Sequence, residues 1–431
     1  MKGNFQLITI IVFIAFAVFG ILVFSGAIPL GKKNTPGGLG TVVLWGTVRT
    51  ATMAPLIEEF NSANPTFVVK YAQKSADTFD QDLLEALADG AGPDMFFLPD
   101  NLAFRYANKI FTIPYASYPL ASFKGNFAGG GEVFLTSKGI LAFPLSIDPL
   151  MMYYNRSILD ANEIVYPPVF WDDLVSLIPK LTKKDDSNKI IKSAVALGHF
   201  SNVAHAKEIL SAFFIQTGNK IVTEQDGIFS SNLDVSSLAS SLASVLKFYT
   251  DFADPNKSVY SWNKSFPNSN DAFSAENLAF YFGFASELGL LMDKNPNQNL
   301  GVAPLPQIRN ASAKLTSAHA VGIALLSSSK NFNTALTAAT LMATGDFASK
   351  FAAVEGKTPA RRDLLAVKQI DAFSPVFYNS ALYAKSWLDP SPKDTDNIFR
   401  IMIDGVLSNS MSVENAISDA SSKLNILLMR R

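Results

Sequence analysis

Residues 140–174 read ILAFPLSIDPLMMYYNRSILDANEIVYPPVFWDDL. An apolar run reaches Pro144, a lone carboxylate stands at Asp148, and a second apolar run, Met151-Met152-Tyr153-Tyr154, follows at once. Proline fixes φ and offers no N–H, which suits a strand that is leaving its sheet. Asp148 allows two readings. It can cap a helix that starts at Pro149, since aspartate is a favoured cap and proline a favoured first helical residue. It can equally face a ligand, because a carboxylate accepts hydrogen bonds from hydroxyls or pairs with an amine. Farther on, Pro167-Pro168 and Trp171-Asp172-Asp173 predict a helix start with acidic residues in the first turn, where the helix dipole favours them. Trp171 is read there as a packing anchor.

Upstream of this stretch, strand and helix patterns alternate. TVVLWG (41–46), TFVVKYA (66–72) and PDMFFLP (93–99) are short apolar runs of strand type. Between them, Met53, Leu56, Ile57 and Phe60 form a helical stripe stopped near Asn64-Pro65, and FDQDLLEALADGAG (79–92) is a second helix closed by glycine. That alternation predicts an α/β fold with a parallel, helix-covered sheet. Ligands sit beyond the carboxyl ends of such strands, here near Trp45–Thr50 and Pro99–Asn101. The middle region is expected to be mainly helical. GVAPLPQ (301–307) and HAVGIALL (319–326) read as strands, residues 331–356 as a helical pair, and 395–409 and 412–428 as amphipathic helices, the last with a cap signal at Ser412.

The composition narrows the function. The chain has 431 residues, 48% hydrophobic and 17% charged, as expected of a folded, core-rich protein. Its net charge is −1 with no long run of either sign, which argues against a nucleic-acid groove. The absence of cysteine excludes disulfides, thiolate metal sites, cysteine nucleophiles and a lipidated-cysteine anchor. No G-x-S-x-G, H-E-x-x-H or P-loop pattern occurs, and His199, His205 and His319 lack metal-site spacing. Neither a metal nor a cofactor is expected. Residues 7–24 carry no charge, and at about 1.5 Å per residue they can cross a hydrocarbon core of roughly 30 Å. The run is longer than a usual signal peptide and lacks a clear cleavage site, so an uncleaved signal anchor is favoured over a cleaved, secreted form. Lys2 before it and Lys32 and Lys33 after it would by themselves place the body in the cytoplasm.

In order along the chain, the motifs resemble those of family 1 extracellular solute-binding proteins of ABC importers, the maltose-binding-protein-like group. The resemblance rests on VVLWGTVRTATMAPLIEEFNSANPTFVVKY, GPDMFFLPDN, GILAFPLSIDPLMMYYNRSIL with PPVFWDDL, FSAENLAFYFG, GVAPLP and KTPARRDL. The block from Gly139 to Leu174 is the most specific piece. The chain departs from the family pattern at Ala275–Ala279, in place of Gly-Lys-Ala-Ala-Met, and at Gly283-Phe284-Ala285, where a Gly-x-Trp is common. Pro168-Val169-Phe170-Trp171 replaces Pro-x-Thr-Trp.

The resemblance implies a two-lobed periplasmic-binding-protein-like fold of type II, with the ligand cleft between lobes that close by hinge motion. Its body would lie outside the cytoplasm, as a single-pass protein of the cell membrane. The expected division is a signal anchor at 1–30, a flexible tether at 31–40, a first lobe at 41–146 plus about 320–360, and a second lobe at 147–319 plus about 361–431. Residues 140–148 would be the first crossing, with Tyr153, Tyr154 and Asn155 in the second lobe's first strand. Implied ligand contacts are Trp45, Thr47, Arg49, Thr50, Asp100, Asn101, Asp148, Phe284, Ser286 and Trp387. Trp45 could stack on a ligand or pack in the core, and Arg49 could clamp an anionic group or lie solvated. The expected function is a monomeric, non-catalytic receptor that passes a small polar solute, sugar favoured, to permease subunits. Its alternatives are a surface glycan hydrolase using Asp100 and Asp148, and a sensor or scaffold. Polyamine and peptide remain open as ligands.

Overall fold

The computed structural model describes residues 40–234 and 239–430. The expected anchor and, apart from Gly40, the tether lie outside the described residues. Among the described residues no helix is long and apolar enough to cross a membrane.

The chain opens as its pattern predicts. Strand β1 (Thr41–Gly46) runs parallel to β2 (Val68–Gln73) and β3 (Met95–Pro99), linked by helices α1 (Thr50–Ala63) and α2 (Phe79–Ala88). Successive β3 residues serve opposite faces: Met95 and Phe97 pack into one core, Phe96 and Leu98 into another. Helix α3 (Asp100–Tyr106) follows directly from β3.

The opening stretch of the sequence forms one long strand, β4 (Ala142–Asn155), buried at every position except Tyr154. After it come helix α4 (Trp171–Leu181), strand β5 (Ile190–Val195), helix α5 (Ala206–Gln216), strands β6 (Leu278–Phe284), β7 (Leu300–Pro304) and β8 (Thr316–Leu325), and helices α6 (Pro392–Leu407) and α7 (Val413–Leu428). One 11-stranded sheet runs β2-β1-β3-β8-β4-β6-β5 and ends at the short strand Lys183–Lys184; off that path β7 and Thr358–Pro359 pair with β4, and Ala384–Lys385 pairs with β8. Beside Pro144 the β4–β8 register slips, with Val321 opposite Ser146 and Gly322 opposite Pro144, so Leu145 bulges. A proline has no N–H for the ladder, and a bulge absorbs that gap.

Strand β4 joins two hydrophobic bodies. Its first half gives Phe143, Leu145 and Ile147 to a core shared with β1, β3 and β8. Its second half gives Leu150, Met151, Met152 and Tyr153 to a separate core with Trp171, Phe213, Phe282 and Phe399. This is a two-lobed arrangement. Of the residues expected with the second lobe, Leu365, Ala381 and Ala384 pack in the first core and Phe377 in the second.

Two further expectations change. Asp148 does not cap a helix, because Pro149–Asn155 is extended, with Met151–Tyr154 paired on both sides, by β6 and β7. A continuous apolar run is equally consistent with a buried strand or helix, and here cross-strand pairing decides. The middle region also holds β5 and β6, a parallel pair buried deep in the second lobe. Trp171 and Ser412 behave as read, and Asn155 ends β4 as expected while also capping the helical turn that follows, a role not read from the sequence. The Asn155 side chain accepts from Ile158 N at 3.0 Å. Trp171 lies buried against Phe213, with ring centroids 4.3 Å apart. Ser412 caps α7 through Asn415 N at 3.2 Å.

Candidate functional site

Where the two bodies face each other, a cavity of about 220 Å³ is lined by Asp100, Asn101, Lys207, Glu208, Ser317, His319, Trp387, Asp389 and Asp396, among others. Asp100 and Asn101 lie at the carboxyl end of β3, the position at which an open α/β sheet presents residues to ligands. Lys207 and Glu208 sit in the first turn of α5, Trp387 and Asp389 just before α6, and His319 on the crossing strand β8.

His319 is at the centre. Its Nδ1 lies 3.2 Å from Asp100 Oδ1, and its Nε2 is 4.0 Å from Glu208 Oε1. Burial works against a charged imidazole here. The carboxylates of Asp100, Glu208 and Asp148 outweigh it and push the pKa up to about 9. The ring is surrounded by protein yet faces the water of the cavity, with 41% of its side chain accessible.

Lys207 is 8% exposed, and its Nζ reaches Asp396 Oδ1 at 2.6 Å, Asp389 Oδ2 at 3.0 Å and Thr395 Oγ1 at 3.3 Å. Desolvation would lower its pKa, but Asp389, Glu208 and Asp396 raise it, so the ammonium persists. Burial pushes the Asp389 carboxyl up, opposed by Lys207. This network ties the start of α5 to the start of α6 and holds Glu208 and Trp387 in place. The Trp387 ring stacks on Phe399 with centroids 6.3 Å apart.

Below the cavity, Phe284 is wedged between two imidazoles, with centroids 4.9 Å from His205 and 4.7 Å from His319. His205 Nε2 lies 2.7 Å from Glu287 Oε1, and Glu287 also accepts from Phe284 N and the Tyr281 hydroxyl. Asp148, opposite His319 in the β4–β8 ladder, accepts from Ser286 N at 3.0 Å and Ser286 Oγ at 2.5 Å. Both of its oxygens are thus engaged, and Asp148 does not line the cavity.

Of the residues singled out from sequence, Asp100, Asn101 and Trp387 meet at the cavity. Phe284, Asp148 and Ser286 form the layer beneath it. The β1 group stays apart. Trp45 is buried in a core with Phe79, Phe96 and Leu98, and Lys74 Nζ covers its ring at 3.8 Å. Thr47 and Arg49 are exposed, and Thr50 starts α1 with its N and Oγ1 donating to Gln73 Oε1. None of these four lines the cavity. His319, Lys207, Glu208, Asp389 and Asp396 were not singled out. For His319, a histidine inside the apolar SAHAVGIALL run was a usable signal. The charges on α5 and ahead of α6 carry no motif. Among the described residues no group of three or more His, Cys, Asp or Glu is arranged to hold a metal ion.

The family profile of bacterial extracellular solute-binding proteins matches residues 45–344. The chain belongs to this family. Among solved structures of similar fold, the cyclic α-maltosyl-1,6-maltose binding protein of Arthrobacter globiformis superposes with a TM-score of 0.75 at 14% identity, covering 91% of this chain and 99% of that one. A cyclo/maltodextrin-binding protein complexed with maltotetraose gives a TM-score of 0.71 at 17% identity, over 92% and 98% of the two chains. The sugar-binding protein MalE of Xanthomonas citri gives 0.70 at 17%, over 91% and 98%. At these identities the likeness establishes the solute-binding fold. No curated protein matches the chain in sequence.

Proposed function

We propose that this solute-binding protein is a non-catalytic extracytoplasmic receptor that captures a small polar solute, sugar-like in class, between its lobes and delivers it to an ABC permease. The observation that carries this reading is the cavity itself, where Asp100 and Asn101 of one body face Glu208 and Trp387 of the other. Donors and acceptors beside an aromatic ring suit a polyhydroxylated ligand. The maltotetraose complex of the similar fold supports a sugar. At about 220 Å³ the cavity is smaller than the roughly 300–1,000 Å³ of drug-sized sites, matching a ligand near one sugar ring.

In this reading the first lobe comprises residues 41–147 and about 318–384, and the second 150–310 and about 388–428. The arrangement is the closed one. Phe104 of α3 meets Phe229 across the cleft at 5.5 Å, and Ser137 Oγ donates to Glu224 Oε1 at 2.8 Å. Both contacts must open for a solute to enter. Residues 1–30 would tether a monomeric body to the membrane, through 31–40. A hydrolase built on Asp100 and Asp148 is disfavoured, because Asp148 is committed to Ser286.

The test is a thermal-shift screen against sugars, amines, amino acids and short peptides. A ligand at 100 times its Kd stabilises the folded state by about 2.7 kcal/mol. A shift confined to one class supports the receptor reading, and no shift with any class counts against it.

A further inference from the structure

The cavity carries more negative than positive charge. Asp100, Glu208, Asp389 and Asp396 line it, against only Lys207 and His319. Asp389 and Asp396 both lean on the single ammonium of Lys207, and Asp100 takes His319. Glu208 is left over: among the described residues its nearest cations are Lys207 Nζ at 3.9 Å and His319 Nε2 at 4.0 Å, both beyond hydrogen-bond reach. A second, separate observation points the same way. Asn101 is one of the lining residues, and its Oδ1, turned in from the cavity wall, has no hydrogen-bond partner. Both groups are acceptors without a hydrogen bond, and an acceptor withdrawn from water is stabilised by a donor. An ammonium has three donors and no acceptor, and the adjacent Trp387 ring adds a surface that attracts cations.

We infer that the solute this cavity takes carries a primary ammonium group, seated against Glu208 and Asn101 with Trp387 alongside. This deepens the receptor reading and rests on it. Two sources share the chemistry: amino sugars and short aliphatic polyamines.

Calorimetric titration of the full-length protein in detergent separates them. One arm uses glucose, galactose and mannose, each beside its 2-amino derivative and its N-acetylated form; the other uses putrescine and spermidine. The expected result is an amine that binds at least about tenfold tighter than its neutral parent or N-acetyl form, or a polyamine that binds where the neutral sugars do not. In Glu208→Gln that preference should shrink to below threefold, and Asp396→Asn, at a side chain 53% exposed, should reduce it in part. Neutral sugars that bind as tightly as the amines overturn this inference and leave the receptor reading standing. Amine binding unchanged in both variants also overturns it, since the ligand then sits elsewhere. No binding by any probe in either arm overturns this inference, while the receptor reading falls only if the wider thermal-shift screen also gives no shift.

Discussion

Replacing Lys207 by methionine removes the one ammonium that Asp389 contacts among the described residues while keeping much of the side chain's volume. Lys207 and Asp389 are each 8% exposed, so the carboxylate left behind cannot rehydrate in place. Deleting one partner of a buried ion pair costs about 3–5 kcal/mol. Asp389 keeps hydrogen bonds from Thr395 Oγ1 at 2.8 Å and Ser391 N at 3.0 Å, which places the expected loss near the lower end, about 3 kcal/mol. Asp396 is half exposed and adds little. Equilibrium urea unfolding followed by intrinsic fluorescence reads the loss as a lower midpoint at unchanged slope. The double variant Lys207→Met/Asp389→Asn should recover most of it, because no orphan charge remains. A single variant that loses less than about 1 kcal/mol would refute the view that a buried charge network braces this side of the cavity.

Other expectations follow from the same geometry. His319 has a folded pKa raised to about 9 from 6.5, so its contribution to stability is complete below pH 6.5 and is lost as pH rises through 9. The cavity water that reaches the ring screens this to about 1 kcal/mol. The difference in unfolding free energy between the wild type and His319→Gln should therefore shrink between pH 6 and 9.5, and a constant difference would contradict the assignment. Asp148→Ala strands the Ser286 N–H and hydroxyl and should cost about 2–4 kcal/mol. Asp148→Asn keeps an acceptor without a charge that burial disfavours, and should cost under about 1 kcal/mol; equal losses would show that the hydrogen bonds are not the reason. Glu224→Ala removes the exposed Ser137 contact across the cleft, worth about 1 kcal/mol, so stopped-flow release of a bound solute should quicken about fivefold with stability unchanged.

The fold was legible where local periodicity and pairing agree. The β1–α1–β2–α2–β3 unit carries apolar runs of strand length and a helical stripe, and it folds as read. The Pro149–Asn155 segment was ambiguous because a strand buried on both faces has no alternation, and only β6 and β7, distant in sequence, make it extended. The site was half legible. Asp100 and Asn101 follow from the rule that ligands meet the ends of parallel strands. The same rule pointed at Trp45, for which core packing was the open alternative, and its side chain falls on the face packed against Phe79 and Phe96, away from the cavity. Lys207, Glu208, Asp389 and Asp396 meet only because α5 and α6 dock on one core, a juxtaposition that no local pattern encodes.

Solute should bind in the cavity beside Trp387. Of the four tryptophans, Trp45, Trp171 and Trp262 are buried in the cores, and Trp387 alone lines this cavity. The decisive measurement is a fluorescence titration of the wild type and Trp387→Phe with the solute that first gives a thermal shift. The account predicts a saturable emission change in the wild type that is lost in Trp387→Phe. An emission change of equal size in the variant would contradict it and place the solute elsewhere.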